Sequence, residues 1–256
     1  MKMYAFHCGG ERTLRSLLDP FDPDCGATIH PPYFFYLVQH PEQNLLFDTG
    51  AHPAFIDDPR SRLGAAADIF DVVMQPGDDV VSRLATVSID PERVGHIVQS
   101  HLHYDHAGGL EFFPDAAVYV QKAELPFAHW PPVYQRDLYL HADFDHPLQW
   151  RELDGEHDVF NDGRLIIFPT PGHTPGHQSM LVRLPERAYI LVGDAAYDPQ
   201  KMTDRRLPGL LWNPDAMVAS WERIEDMQRR YNAELLFTHD LGYETKTRLG
   251  PEEWYQ

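Results

Sequence analysis

Cysteine is scarce in this sequence, which has only Cys8 and Cys25 among its 256 residues. Two cysteines near one end cannot form the disulfide framework of a small secreted domain, so that class is excluded. We expect both thiols to be reduced and free. The stability of the fold must then come from apolar packing, which a chain of this length can supply.

Long apolar runs are also missing. No stretch reaches the roughly 18 uninterrupted apolar residues that a membrane-spanning helix needs. Residues 1–5 lack the apolar core and the small-residue cleavage site of a secretory signal. These patterns predict a protein without a membrane span, and a cytoplasmic location is the simplest expectation.

Cationic side chains are few. The chain has 21 lysines and arginines against 39 aspartates and glutamates, a formal net charge of -18 at pH 7, and a sequence pI near 5.1. Nucleic acids are bound by clustered cations that displace counterions, so a nucleic acid partner is disfavoured. A small neutral substrate meets no such electrostatic barrier.

The chain has no internal repeat, low-complexity tract or polar linker, so we expect a single domain over residues 1–256. Short apolar runs typical of buried strands alternate with segments of helical spacing. Asn213 and Pro214 are a cap residue and a first-turn proline that predict the start of one helix. The pattern indicates an α/β protein with helices at 78–86 and 215–231 and strands at 34–38, 45–47, 96–98, 118–120, 165–168, 180–182, 189–192 and 235–237.

Histidine, by contrast, is abundant, with 15 residues, several of them in tight groups. Four of the predicted strands run into a histidine or aspartate in a short turn, namely His101, His173, Asp194 and His239. Strand ends hold loops at reproducible positions, and loops on a rigid scaffold are where chemistry is usually placed. We therefore expect these side chains to collect at one edge of the sheets.

The densest group is the run His-Leu-His-Tyr-Asp-His at residues 101–106. His101 and His103 can face one way in an extended segment, whereas the adjacent Asp105 and His106 must diverge or lie in a tight turn. One metal ion cannot easily accept all four side chains. Two neighbouring ions can, with the first two residues on one ion and the last two on the other.

Each of these two ions would still lack ligands, and the remaining strand-end residues supply them. His173 and His239 provide one histidine to each ion, and the carboxylate of Asp194 can bridge both. Imidazole and carboxylate ligands suit zinc, but they also suit iron, manganese or cobalt. The sequence therefore predicts a site for two divalent metal ions.

These residues resemble the signature of the metallo-β-lactamase-fold hydrolases, a His-x-His-x-Asp-His run followed by separate histidine, aspartate and histidine ligands. The resemblance begins at the turn of residues 47–50, where Asp48 corresponds to a buried aspartate of the family. It implies a four-layer αββα sandwich of two mixed β-sheets flanked by helices, with the metal ions at one edge. The positions that agree in type, order and approximate spacing are His101, His103, Asp105, His106, His173, Asp194 and His239.

Smaller features resemble one branch of that family, the N-acyl-homoserine lactonases that destroy bacterial quorum signals. His103 separates the chain from redox-type relatives, which carry glutamate there, and the 17 residues after His239 are too few for the helical domain of the thioesterase branch. Tyr197, three residues after Asp194, resembles the substrate-contacting tyrosine of lactonases. Pyridoxolactonase-type enzymes share that segment, so another small lactone or ester is the alternative substrate. A non-catalytic metal-binding sensor is the alternative from a different class.

Metal chemistry then indicates a mechanism. A water bound to Zn²⁺ has a pKa of about 7, so a hydroxide bridging the ions is the expected nucleophile at the lactone carbonyl. Tyr197 is expected to donate a hydrogen bond to the carbonyl oxygen as negative charge develops there. Asp105 is expected to carry the proton to the leaving ring oxygen, and Asp194 to bridge the ions.

The irregular segments 51–76 and 128–150 fit no clean period and are expected to form lids or binding loops. Their apolar residues would contact an acyl chain, or equally a second copy of the chain in a homodimer. His177 is expected to support the ligands and not to bind metal, and the aromatic run 33–36 to lie in a strand core. The candidates for the acyl-chain wall are Phe55, Ile69, Phe70 and Trp130.

Overall fold

A computed structural model describes residues 1–256, and its strands form two mixed sheets. The strands of the first sheet are β1 (Lys2–Leu14), β2 (Thr28–Ile29), β3 (Pro32–Gln39), β4 (Asn44–Phe47), β5 (Asp71–Val73), β6 (Val94–Val98), β7 (Ala117–Gln121) and β8 (Gln149–Leu153). Those of the second sheet are β9 (His157–Asp158), β10 (Leu165–Pro169), β11 (Gln178–Arg183), β12 (Ala188–Leu191) and β13 (Glu234–Leu236). The order is β2-β1-β3-β4-β6-β7-β8 in the first sheet, with β5 paired to β1, and β13-β12-β11-β10-β9 in the second.

Eight helices connect or cover these strands, and most are short. They are α1 (Arg60–Leu63), α2 (Val80–Ala85), α3 (Tyr104–Ala107), α4 (Glu124–His129), α5 (His141–Phe144), α6 (Pro199–Thr203), α7 (Pro214–Tyr231) and α8 (Tyr243–Lys246). The long helix α7 starts where the sequence predicts, because the Asn213 side chain accepts a hydrogen bond from the Ala216 amide at 3.0 Å. None of the helices has both the length and the apolar character needed to cross a bilayer.

The alternating residues of β3 show how the layers are built. Phe34, Tyr36 and Val38 belong to the core between the two sheets, together with residues of β10, β11 and β12. Phe35 and Leu37 point to the opposite face and belong to a second core cluster, which also contains residues of α2, α3 and α4. Helix α7 covers the outer face of the second sheet. The arrangement is a four-layer αββα sandwich, so the predicted fold class is confirmed.

All eight predicted strands and both predicted helices are present, each within two residues at its ends. The sequence did not predict β1, which is 13 residues long, because Gly9 and Gly10 interrupt its apolar pattern. A register shift between His7 and Gly10 accommodates this interruption. The edge strand β8 was also missed, since its partly exposed residues form no apolar run.

Candidate metal centre

Strand direction brings the second sheet's polar turns to one edge. β10 and β12 both run antiparallel to β11, and β13 runs parallel to β12, so all three end on the same side. These ends carry His173, Asp194 and His239. The end of β6, in the first sheet, lies beside the same edge. There the backbone amide of Gln178, at the start of β11, donates a hydrogen bond to the Ser100 carbonyl at 2.9 Å.

The run that follows β6 turns into the single-turn helix α3 directly after His103. The turn allows the adjacent Asp105 and His106 both to reach the centre, where Asp105 Oδ2 lies 3.4 Å from His106 Nε2. The same Asp105 oxygen lies 3.4 Å from His239 Nε2. A tight turn, which was one of the two expected arrangements, is therefore what this segment adopts.

Seven side chains converge in three overlapping groups of nitrogen and oxygen atoms. In the first, His101 Nε2 lies 2.9 Å from His103 Nδ1, which lies 3.1 Å from His173 Nε2. Asp194 lies between this group and the group that contains His239, with Oδ2 3.6 Å from His173 Nε2 and Oδ1 3.3 Å from His239 Nε2. The three groups are His101 with His103 and His173, His101 with His106 and Asp194, and Asp105 with His106 and His239.

Two buried atoms show that a cation fits this centre. Asp194 Oδ1 and His106 Nε2 lie 3.3 Å apart and have no hydrogen-bond partner in the protein. Leaving such atoms unpaired in the interior costs about 1–3 kcal/mol each, whereas a metal ion satisfies both. Five imidazoles and two carboxylates within this space are a donor set for two divalent metal ions.

The protonation of the centre agrees with metal binding. Burial, together with the neighbouring imidazoles, lowers the pKa of His101 and His103 well below the usual value, so their lone pairs are free. Burial also disfavours charge on His239, but the Asp194 carboxylate outweighs it and raises the pKa of His239 to about 9. Without metal, protons on such histidines balance the carboxylates, and metal ions would replace those protons.

Asp48 orients His106, one of the candidate ligands. It is fully buried at the end of β4, and its Oδ2 accepts a hydrogen bond from His106 Nδ1 at 2.9 Å. The backbone and hydroxyl of Ser100 donate to the same carboxylate at 2.7 and 2.9 Å. A carboxylate on the far nitrogen of a ligating histidine selects the tautomer whose other nitrogen faces the metal.

His177 lies behind Asp194, as the sequence reasoning expected. Its Nε2 accepts a hydrogen bond from the Asp194 amide at 2.9 Å, and its Nδ1 lies 3.1 Å from the Thr170 carbonyl. Gly193 must be glycine, because its φ is +60° and a Cβ there would lie 2.8 Å from His177 Nε2. The turn that presents Asp194 is therefore packed tightly against this histidine.

Glu124 is a supporting residue that the sequence reasoning missed. Its fully buried carboxylate accepts hydrogen bonds from the Leu102 amide at 3.0 Å and from the Thr174 hydroxyl at 2.7 Å. It also accepts from Tyr139, whose ring packs against His103 at 4.6 Å between centroids. Glu124 thus joins the turns that carry two of the ligand histidines, and nothing in its sequence surroundings signals that role.

Tyr197 lies beside the ligands, with its hydroxyl donating to Asp194 Oδ2 at 3.2 Å. Burial, followed by the nearby Asp194 charge, raises the pKa of Tyr197 well above its usual value. The phenol therefore keeps its proton throughout the neutral range and can act as a hydrogen-bond donor. Its side chain lines the cavity that opens onto the metal centre.

The wall of that cavity differs in part from what the sequence predicts. Of the four acyl-chain candidates only Phe70 lines it. Phe55 is buried behind Tyr104, Ile69 faces a neighbouring groove, and Trp130 is 86% exposed at the end of α4, away from the cavity. Other parts of the chain complete the apolar wall, namely Leu17, Leu18, Pro31, Leu138 and Leu210.

Glu11 is the second residue that the sequence reasoning missed. It lies in β1 and lines the cavity together with Asp105, His239 and Tyr197. Burial, reinforced by the charge of Asp105, raises the pKa of Glu11 to about 7. Because β1 was not predicted, the sequence pattern gave no sign that this glutamate lines the cavity.

Comparison with known proteins agrees with this architecture. The N-acyl homoserine lactonase AttM of Azorhizobium caulinodans is 35% identical over 221 residues, covering 84% of each chain. The N-acyl homoserine lactonase AiiA of Bacillus thuringiensis subsp. kurstaki is 28% identical over 229 residues, covering 89% of this chain and 88% of its own.

A solved structure of an N-acyl homoserine lactone hydrolase, with the product N-hexanoyl-L-homoserine bound at its catalytic metal centre, superposes with a TM-score of 0.89. It is 25% identical and covers 99% of this chain and 98% of its own. AidC, a dizinc quorum-quenching lactonase, shares the fold with a TM-score of 0.70 at 17% identity, over 93% of this chain and 86% of its own. The family model of the metallo-beta-lactamase superfamily matches residues 32–248, and the chain belongs to that superfamily.

Proposed function

We propose that this protein hydrolyses N-acyl homoserine lactones, opening the lactone ring and so inactivating a quorum signal. The observation that carries the proposal is the convergence of seven metal-binding side chains and the Tyr197 hydroxyl on one cavity. The relatives named N-acyl homoserine lactonase, at up to 35% identity over most of their length, support the choice of substrate. The net charge of -18 also favours a neutral substrate.

In this proposal, one group of ligands holds each metal ion. His101, His103 and His173 would hold the first ion and Asp105, His106 and His239 the second, with the carboxylate of Asp194 as a ligand available to either. Zinc is the proposed metal, because it favours nitrogen and oxygen donors of this kind and leaves a position open for water. When bound, the ions supply Lewis acidity and ionise a water molecule near neutral pH.

The protein's own groups handle the substrate and its protons. Tyr197 turns its one hydroxyl proton from Asp194 Oδ2 to the lactone carbonyl oxygen, which becomes more negative as water adds to the carbon. Asp105 accepts the proton released by the attacking water and returns it to the ring oxygen as the ring bond breaks. The product is an N-acyl homoserine, which carries one carboxylate and one hydroxyl.

The apolar wall contributes by binding the acyl chain. Leu17 lines both the cavity at the metal centre and the adjacent groove that contains Leu14 and Ile69. A chain that leaves the cavity past Leu17 would lie against the three apolar side chains of this otherwise polar groove. Burial of each methylene group there contributes about 0.8 kcal/mol to binding.

The proposal is tested by measuring acid release from N-hexanoyl homoserine lactone with zinc-loaded protein. We expect turnover by the wild type and a loss of at least about 100-fold in Asp194→Asn, which removes a charged ligand. Asp226→Asn, an exchange of the same kind at an exposed position, serves as the control and should keep full activity. A parallel panel contains γ-butyrolactone, pyridoxolactone, a thioester and a phosphodiester. Equal rates in wild type and Asp194→Asn, or turnover of the phosphodiester alone, would contradict the proposal.

A further inference from the structure

A carboxyl group that the reaction described above does not use lies in the cavity wall. Glu11 is held by the backbone of β1, where its amide donates to the Pro31 carbonyl at 3.1 Å and its residue pairs with Val72 of β5. Its side chain lines the same cavity as Tyr197 and Asp105. It belongs to none of the groups that could hold metal. A carboxyl group buried in a cavity wall needs a hydrogen-bond partner for each of its oxygens.

Two tyrosines donate hydrogen bonds to only one of the two carboxylate oxygens of Glu11. Tyr33 and Tyr104 each donate their hydroxyl proton to Glu11 Oε2, at 2.9 and 2.8 Å. Their hydroxyl oxygens lie 3.2 Å apart, but each phenol has one proton and both protons are already committed to the carboxylate. Oε1 receives no hydrogen bond from the protein. It is therefore an acceptor on the cavity side whose partner must come from solvent or from substrate.

We propose that Oε1 of Glu11 accepts a hydrogen bond from the substrate's amide N–H, and thereby selects lactones that carry such a donor beside the ring carbonyl. The inference rests on the proposed function. In an N-acyl homoserine lactone the N–H is attached to the carbon next to the reacting carbonyl, so it enters the cavity with the ring. A substrate with an alkyl group or an ester oxygen at that place leaves Oε1 unpaired or opposed by a lone pair.

This role makes Glu11 a residue of substrate specificity and not a participant in bond breaking. The N–H group changes little during ring opening, so its hydrogen bond stabilises the bound substrate and the transition state alike. Losing it should raise KM and leave kcat nearly unchanged. A purely structural role for Glu11, through the two tyrosines, would instead affect all lactones equally.

The test compares two matched substrates, N-hexanoyl homoserine lactone and α-hexanoyloxy-γ-butyrolactone, in which an ester oxygen replaces the N–H. The variant is Glu11→Gln. Because both tyrosine hydroxyls donate to one oxygen, the amide oxygen of Gln takes that position and its NH₂ faces the cavity. The substitution preserves the tyrosine contacts and changes the cavity-facing atom from an acceptor to a donor.

At pH 8, where the Glu11 carboxyl is mostly ionised, we expect zinc-loaded wild-type protein to prefer the amide substrate in kcat/KM, and Glu11→Gln to reduce that preference by about 10- to 100-fold, mainly through KM. The control is Glu92→Gln at an exposed position, which should leave the preference unchanged. A preference that Glu11→Gln leaves intact, or an equal loss on both substrates, overturns the inference while the proposed lactonase function stands. If the wild type opens neither lactone, the proposed function fails as well.

Discussion

The metal centre and the cavity wall beside it lie within contact distance but are built in different ways. The candidate metal-binding side chains follow buried strands, in turns or in the short helix α3, and further buried side chains such as Asp48, Glu124 and His177 hold those segments. The wall takes single residues from distant segments, including Leu17, Phe70 and other apolar residues. The difference indicates that the reacting groups are held by rigid strand ends. Most of the wall, in contrast, comes from segments that can vary without disturbing those strand ends.

Removing the metal ions should have the largest effect, because the buried carboxylates and imidazoles of the centre then lose their common partner. Activity should disappear with a chelator and return with zinc. Thermal unfolding should shift to lower temperature, since metal at a thousand times its Kd contributes about 4 kcal/mol to the folded state. Unchanged activity and an unchanged Tm after verified metal removal would show that the centre does not depend on metal.

Tyr197→Phe should come next, since it removes one hydrogen-bond donor beside the metal centre and leaves every metal-binding atom in place. We expect kcat to fall about 100-fold, the usual cost of losing one donor to a developing oxyanion. Metal content, measured by elemental analysis, should be unchanged. Tyr134→Phe, at a position that is 59% exposed, is the matched control and should behave as wild type. A kcat within twofold of wild type would remove Tyr197 from the mechanism.

Asp48→Asn tests whether the supporting side chains belong to the metal centre. The substitution keeps the shape but weakens the hydrogen bond to His106 Nδ1. Zinc affinity, measured by competition with a chromophoric chelator, should fall about 10- to 100-fold. With saturating zinc, most of the activity should return. An affinity equal to that of the wild type would show that this aspartate only stabilises its turn.

Leu17→Ala should have the smallest effect and should alter only the wall. We expect KM for an N-decanoyl lactone to rise on the order of fivefold, because apolar contact with the chain is lost. KM for an N-butanoyl lactone and the metal content should not change. If KM rises equally for both chain lengths, the acyl chain does not pass this residue.

The candidate metal-binding residues could be proposed from the sequence because their types, order and position after buried strands are all visible there. Once β6, β10, β12 and β13 are identified, their polar turns are expected to share an edge. Glu11 and Glu124 could not be found in this way. Each is a single glutamate whose burial depends on tyrosines far along the chain, Tyr33 and Tyr104 for the first and Tyr139 for the second.

The positions of the four acyl-chain candidates could not be predicted for the same reason. Phe55, Ile69 and Trp130 are similar in hydrophobicity to Phe70, yet one is buried, two face solvent or a groove, and only Phe70 lines the cavity. Hydrophobicity in an irregular segment indicates that a side chain is buried, but it does not indicate which residues surround that side chain. The path of residues 51–76 is set by contacts with β1 and α3 that no local pattern encodes.

By itself the sequence determined the α/β class, the main strands and the candidate donor residues, while the four-layer sandwich followed only from the resemblance to a known family. Local periodicity and residue type are sufficient for the first three, because a strand needs its own apolar pattern and a metal needs particular atoms. The tertiary structure alone decided which carboxylates are buried, which atoms lack partners and which side chains form the wall. Those properties belong to pairs of residues far apart in the chain, and they exist only when folding brings the pairs together.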